Sequence, residues 1–476
     1  MEQHVLKPSA GGILARMDRI SVWSLPYLFI GIIGLGFLFT FYDIFNINVS
    51  FIETCSAIVP HCTPISASQY LGLPVLLNLV GYVVGTLALS PLADRLGRRD
   101  MLLVTMVITG LGSLWTAFTH DYAAFTWARA LTGVGVGADL AIVNTYINEV
   151  APTAGRARYT ALIFVMSGLG AFLGIWVGLW LTTPATPFPL GIPFAMAGPH
   201  FAQGWRVMYL IGALLALVGV LLRVQMPESP RWLVARGRLA DADRIVSNME
   251  KRASIHGPLP DPGPEPKVVP GRHAMPFAEI LADPTYRKRT VVLLAMWSIS
   301  YVTVYSFAAG FTSLLVSLHY PVPEAGLIAA VGTIGMILSG VAAYLWGEQI
   351  ERKFWMLMSA GLTLLGGIII AQAGTLLGLS MFGAILVFFG FDLWIPIAYS
   401  WSTEQYPTRA RASGFALVDG VGHLGGGVGV LIVVPFVVGL PVLAAFMVIG
   451  GFLVVGALIA QLGIRTRGVP LDELSP

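Results

Sequence analysis

The sequence predicts an all-α membrane protein: twelve transmembrane helices in two pseudo-symmetric six-helix bundles. Three observations predict it. The chain is 56% hydrophobic and only 11% charged, whereas a soluble protein carries about 25% charged residues. Apolar runs long enough to cross a bilayer, about 20 residues each, recur twelve times along the 476 residues. Two charged motifs also repeat six helices apart, the mark of an internal duplication.

Taken in order, the predicted helices cover residues 23–48, 71–93, 101–119, 122–147, 159–182, 206–224, 288–317, 324–348, 354–375, 380–404, 411–438 and 440–463. The basic residues test this count. With the N-terminus in the cytoplasm, all of the 28 Lys and Arg except Arg129 and Arg206 fall in or beside cytoplasmic segments. That is the positive-inside pattern, and it predicts a multi-pass protein of the cell (plasma or inner) membrane with both termini cytoplasmic. Residues before Trp23 are polar and basic (Lys7, Arg16, Arg19), and the first apolar run is too long for a cleavable signal.

The expected organisation is a cytoplasmic N-terminus (1–22), a first six-helix bundle (23–224), a cytoplasmic linker (225–287), a second bundle (288–463) and a cytoplasmic C-terminus (464–476). The linker has an amphipathic charged part, Pro230 to Arg252, and a proline-rich part, GPLPDPGPEPKVVPG, that forms no regular element. Cys55 and Cys62 sit in the first outer loop, on the oxidising side, where a disulfide and two free thiols are both open.

The repeat is specific. After helix 2 comes Ser90-x-x-x-Asp94-Arg95-Leu-Gly-Arg98-Arg99, and after helix 8 comes Gly347-x-x-x-Glu351-Arg352. After helix 4 comes Glu149-Val-Ala-Pro-Thr with Arg156 seven residues beyond the Glu. After helix 10 comes Glu404-Gln-Tyr-Pro-Thr with Arg411 also seven beyond. Parallel duplication of six-helix halves, with substrate held between them, builds one large class of secondary transporters. These clusters are expected to pair in one conformation and part in another, biasing alternating access. Asp94→Asn is then expected to shift accessibility inward.

SPLADRLGRR resembles the loop 2–3 signature of the major facilitator superfamily. ARALTGVGVG (Ala128 to Gly137) resembles the helix 4 pattern of its sugar porters and metabolite:proton symporters, and PESPRWL (Pro227 to Leu233) their signature after helix 6. The resemblance covers nearly the whole chain. It departs after helix 8, where Phe354 and Trp355 replace an expected Gly-Arg.

Acids and arginines inside hydrocarbon are costly and mark functional positions. Asp43 near the outer end of helix 1 and Arg129 near the outer end of helix 4 lie at matching depth. An arginine favours the charged carboxylate and burial the neutral one, so a contact that breaks in one conformation would couple protons to transport. The resemblance implies the same role, and a static packing bridge is the other reading. Asp139, ten residues past Arg129, is about 15 Å deeper and about 80° around the helix. GVGVGAD is similar to the helix 4 motif of phosphate:proton symporters, which implies that Asp139 faces the central cavity.

Helix 11 carries Asp419 and His423 four residues apart, on one face. Histidine can change charge near neutral pH. Helix 7 aligns Trp297, Tyr301 and Tyr305, with Tyr301 where the phosphate family has an aspartate, and helix 10 carries Asp392, Trp394 and the bending Pro396. Together with Asp139 these residues form the expected substrate cavity.

The expected activity is proton-coupled symport of a small polar metabolite, such as a sugar or organic acid, by alternating access. A uniporter of the same substrates and a proton-coupled phosphate transporter stand as alternatives. Helix 5 lacks the Gly-Pro signature of drug antiporters, which favours uptake. The chain has no Gly-x-Ser-x-Gly elbow, phosphate loop or Cys/His metal spacing, so no enzyme, cofactor or metal is expected. The expected partners are a small-molecule substrate, protons and the lipid bilayer, without nucleic acid, and the expected state is a monomer.

Overall fold

A computed structural model describes residues 9–152, 156–265, 277–407 and 411–467, except for the side chains of 148, 156–158, 411 and 412. Among the described residues, twelve helices are long and apolar enough to span a membrane. Helices 1–6 are Tyr27–Phe45, Ala67–Leu96, Arg98–Ala117, Tyr122–Ile147, Tyr159–Thr182 and Gly204–Arg223. Helices 7–12 are Pro284–Ala308, Val322–Trp346, Arg352–Gln372, Leu377–Glu404, Ser413–Val437 and Val442–Ala460. In lipid such helices satisfy their own backbone groups, which is why a helical bundle is the outcome of this composition.

The packing repeats with a shift of six. Helix 4 packs on helices 2 and 3, as helix 10 packs on 8 and 9; helix 1 lies on 5 and 6, as helix 7 lies on 11 and 12. The halves meet where helix 2 lies on helix 11 and helix 5 on helix 8. Glycine permits that approach. A Cβ added at Gly72, Gly427, Gly168 or Gly340 would lie 2.5 to 2.9 Å from atoms of the facing helix, so these seams depend on bare backbone.

Several helices are interrupted along their length. Helix 1 continues past Asn46 into Ile47–Ile58, well beyond its expected end, and this extension carries the Cys55–Cys62 disulfide. Helix 7 breaks at Ala309 and Gly310 before resuming as Phe311–Ser317. Helix 10 breaks at Trp394, just before Pro396. Helix 11 carries a π-helical turn, Ala416–Gly420, near its start.

The break in helix 7 is clamped from the other half. Asn48 Nδ2 donates to Phe307 O (3.0 Å) and Ala308 O (2.7 Å). Its Oδ1 accepts from Thr312 N (3.3 Å) and Oγ1 (2.6 Å). The halves are thus pinned together on the disulfide face.

The opposite face carries the linker. Residues 10–18, expected only as part of a tail, form a helix capped by Ser9. It docks on Leu239–Ala253: Arg16 and Arg19 each reach Glu250 at 2.6 Å, and Arg16 reaches Asp243 at 2.5 Å. Burial alone would raise the Glu250 carboxyl, but hydrogen bonds from Arg16 and Arg19 outweigh it and hold it below the usual glutamate range.

Candidate functional site

A cavity lies between the halves. Helices 1, 4 and 5 contribute Phe41, Ile44, Phe45, Leu140 and Phe164. Helices 7, 8, 10 and 11 contribute Tyr301, Val304, Tyr305, Ala308, Met336, Phe391, Asp392, Ile395, Tyr399 and His423. The first half therefore supplies an apolar, largely aromatic wall. The polar groups (three tyrosines, one carboxyl and one imidazole) all come from the second half. Phe164 meets Tyr399 edge-on at 5.0 Å and separates this cavity from a smaller one lined by Phe37, Val143, Ile147 and Thr160.

Tyr301, Tyr305, Asp392 and His423, all expected in the cavity, line it. Trp297, Trp394 and Asp419, expected in the cavity as well, do not line it and form the layer behind. The Trp297 ring lies tilted against Trp394 at 4.6 Å and Tyr301 at 5.1 Å, and its indole donates to Ser402 Oγ at 2.9 Å. These rings fix the wall without facing the void. Asp392 accepts from Ser339 Oγ.

His423 is held on every side. Its ring stacks at 3.7 Å on Tyr82 and lies 4.2 Å from Tyr301. Its Nδ1 lies 2.7 Å from the Asp419 carbonyl oxygen. A carbonyl oxygen only accepts, so Nδ1 carries the hydrogen and Nε2 is the ring atom left to meet a ligand. Asp419 Oδ1 accepts from Tyr301 OH at 2.7 Å and Oδ2 from Tyr82 OH at 3.0 Å.

Asp43 and Arg129 meet, as their equal depth permits. Arg129 Nη1 donates to Asp43 Oδ2 at 2.9 Å and Nη2 to the Asp43 carbonyl at 3.1 Å. Ser113 Oγ donates to Asp43 Oδ1 at 2.5 Å. The pair is buried among helices 1, 3, 4 and 6, one layer behind the cavity wall.

Asp139 is a correction. It does not reach the cavity. Arg223, the last residue of helix 6, binds it through both terminal nitrogens, with Nη2 to Oδ2 at 3.0 Å. Thr105 Oγ1 adds a bond at 2.8 Å. The expected turn of about 80° from Arg129 aims Asp139 at helices 3 and 6 instead of the void. Arg223 lies at the end of helix 6, beside a cytoplasmic segment in the sequence, where nothing marks it as the partner of Asp139.

The charged clusters on the linker face need a second correction. Arg98 Nη2 bonds Asp94 at 2.8 Å and Glu149 at 2.9 Å, and Nη1 donates to Ala93 O. In the second half Arg352 Nη2 bonds Glu348 at 2.8 Å and Glu404 at 3.3 Å, and Nη1 donates to Gly347 O. The equivalent of Asp94 is thus Glu348, and that of Arg98 is Arg352. Glu351 accepts from the backbone of Arg352 and Thr466, while Arg95 lies exposed outside the pair. The side chains of Arg156 and Arg411 lie outside the described residues.

The segments after helices 6 and 12 seat these clusters. Glu228, from PESPRWL, accepts from the backbone N–H of Arg98 and Arg99 at 3.1 and 3.2 Å. Gly97, at φ 114°, allows this; a Cβ there would lie 2.3 Å from Glu228 Oε2. Burial pushes the Glu228 carboxyl up, against the pull of those N–H groups. After helix 12, Thr466 Oγ1 donates to Glu404.

Two six-helix halves with a cavity between them are the architecture of a secondary transporter. The chain belongs to the Sugar (and other) transporter family, whose model matches residues 28–476. It is 26% identical over 414 residues to the niacin transporter NiaP of Acinetobacter baylyi, covering 87% of this chain and 88% of that one. It is 29% identical over 354 residues to the 4-hydroxybenzoate transporter PcaK of Pseudomonas aeruginosa, covering 73% of each. The partially occluded, inward-open structure of the xylose transporter XylE from E. coli shares the fold, with a TM-score of 0.68 at 18% identity over 93% of this chain and 99% of that one.

Proposed function

We propose that the protein takes up a small aromatic acid together with protons, by alternating access, with its N-terminus and linker in the cytoplasm. The observation that carries this reading is the cavity lining. Seven aromatic rings surround it (Phe41, Phe45, Phe164, Tyr301, Tyr305, Phe391 and Tyr399), and its described lining holds no Asn, Gln, Lys or Arg. A sugar needs many hydrogen-bond partners; a flat ring with one polar end needs stacking surface and one or two polar contacts. His423 Nε2 and the tyrosine hydroxyls supply those contacts. The relatives named for niacin and 4-hydroxybenzoate support an aromatic acid over a sugar.

A carboxylate ligand approaches Asp392 favourably only when that side chain is neutral, so anion binding and proton binding go together. Asp43 and Arg129 form the second coupling element. Both Asp43 oxygens are occupied in this state, so proton uptake there requires the pair to part in another conformation.

The test is a thermal-shift screen of the purified protein against nicotinate, 4-hydroxybenzoate, phosphate, xylose and small aliphatic acids, followed by uptake into proteoliposomes. The expected outcome is stabilisation by aromatic acids and accumulation driven by an imposed pH gradient. Asp43→Asn is expected to abolish accumulation and spare counterflow exchange. Stabilisation by xylose without aromatic acids would overturn the substrate class. Uptake indifferent to the pH gradient would make the protein a uniporter.

A further inference from the structure

The four acids buried in the membrane-spanning bundle divide by half. In the first half Asp43 and Asp139 are each locked to an arginine. In the second half Asp392 and Asp419 have no arginine or lysine partner among the described residues; the imidazole of His423 lies 3.7 Å from Asp419 Oδ1 and would form an ion pair only when protonated. An arginine keeps its charge at every working pH, so its partner resists protonation. The second-half acids lack that restraint.

Asp419 differs again from Asp392, because one of its bonds crosses between the halves. Tyr301, on helix 7, donates to Oδ1 from within the same half. Tyr82, on helix 2, donates to Oδ2 from the other half and stacks on His423 with its ring. The groups facing Asp419 are Tyr82 from helix 2, Tyr301 and Tyr305 from helix 7, Tyr399 from helix 10 and His423 from helix 11. The acid sits in the π-helical turn of helix 11, a deformation that recurs at functional positions.

We propose that Asp419 is a proton-binding site, and that Tyr82 is the positioning residue through which its protonation loosens the contact between helices 2 and 11. Ionised, Asp419 accepts from both tyrosines, and each bond is strengthened by the charge. Protonation removes that charge and turns one of the two acceptor oxygens into a donor. The link from Tyr82 weakens, and the halves separate more readily on the linker face. This rests on the reading of the protein as a proton symporter, and it assigns the conformational effect of the proton to helix 11.

The test needs no substrate. Leu96, the last residue of helix 2, and Ile350, in the turn after helix 8, are exposed at equivalent places in the two halves. Both native cysteines are in the disulfide, so Leu96→Cys with Ile350→Cys takes a pair of spin labels cleanly. Their distance distribution is measured between pH 8 and pH 5. The expected result is a pH step that raises the ratio of long to short distances about tenfold, the scale of one hydrogen bond to a charged group.

Tyr82→Phe keeps the ring on His423 and removes the hydroxyl, so the long population is expected at both pH values. Asp419→Asn is expected to do the same, and Asp43→Asn to keep the step. No step in the unsubstituted chain, or a step that survives Tyr82→Phe, overturns the proposal. Loss of the step in His423→Gln with its survival in Tyr82→Phe also overturns it, and places the proton on the imidazole. Gradient-driven uptake of 4-hydroxybenzoate is measured alongside. If uptake follows the pH gradient and the step is absent, the symport reading stands and this one falls; if uptake ignores the gradient, the symport reading itself falls.

Discussion

Asp139→Asn should destabilise the protein without touching the substrate path. The change leaves Arg223 charged, fully buried and no longer neutralised. The guanidinium retains its bond to Leu102 O at 3.0 Å, so the cost falls at the low end of that for breaking a buried pair, about 3 kcal/mol. It has little room to move, because helix 1 packs directly on it: a Cβ at Gly36 would come within 2.1 Å of Nη2. Arg223→Met should cost a similar amount. The double variant should cost about 2 kcal/mol less than the sum, because the two side chains form one unit. Unfolding in mixed micelles measures all three. The purified double variant, once folded, should still take up 4-hydroxybenzoate. If Asp139→Asn unfolds like the unsubstituted protein and yet abolishes uptake, Asp139 acts on substrate or protons and its placement behind the wall is functionally misread.

Glu149→Gln and Glu404→Gln should each shift a cysteine reporter at Ala308 toward lower accessibility from the disulfide face; Asp94→Asn and Glu348→Gln should shift it less, because exposed i,i+4 pairs contribute only about 0.3–0.5 kcal/mol. Glu351→Gln should behave unlike Glu348→Gln, and equal effects in a maleimide-labelling assay would restore the register expected from sequence. The Glu250 carboxyl is held below its ordinary 4.5, so its contribution to docking of the N-terminal helix is present above that pH and is lost as the pH falls through the lower folded value. A spin label at Ala10 should therefore stay immobile at neutral pH and gain mobility below about pH 4.5; Glu250→Gln should be mobile throughout. Gly168→Val should jam the helix 5–helix 8 seam, lowering the exchange rate in counterflow more than the binding of 4-hydroxybenzoate.

Much of this molecule was legible in the chain itself. Hydrocarbon thickness fixes helix length, so apolar runs alone counted the twelve helices. Helical rise placed Asp43 and Arg129 at one depth, and the spacing of four brought Asp419 and His423 onto one face. The duplication was visible too, but not its register. Glu351-Arg352 copies Asp94-Arg95 by spacing, while the structure pairs Glu348 with Arg352, because what duplication preserves is the place of the arginine at the start of helices 3 and 9.

What only the tertiary structure decided is which buried charge answers which. A helix carries no information about the azimuth of its neighbours, so Asp139 could be placed in depth but not turned toward Arg223. Nor could the sequence say that Tyr82, an unremarked ring on helix 2, reaches across to Asp419 and His423. Sequence periodicity acts along one helix; the coupling of two halves is made by side chains more than 300 residues apart in the chain, and only their packing brings them within a hydrogen bond.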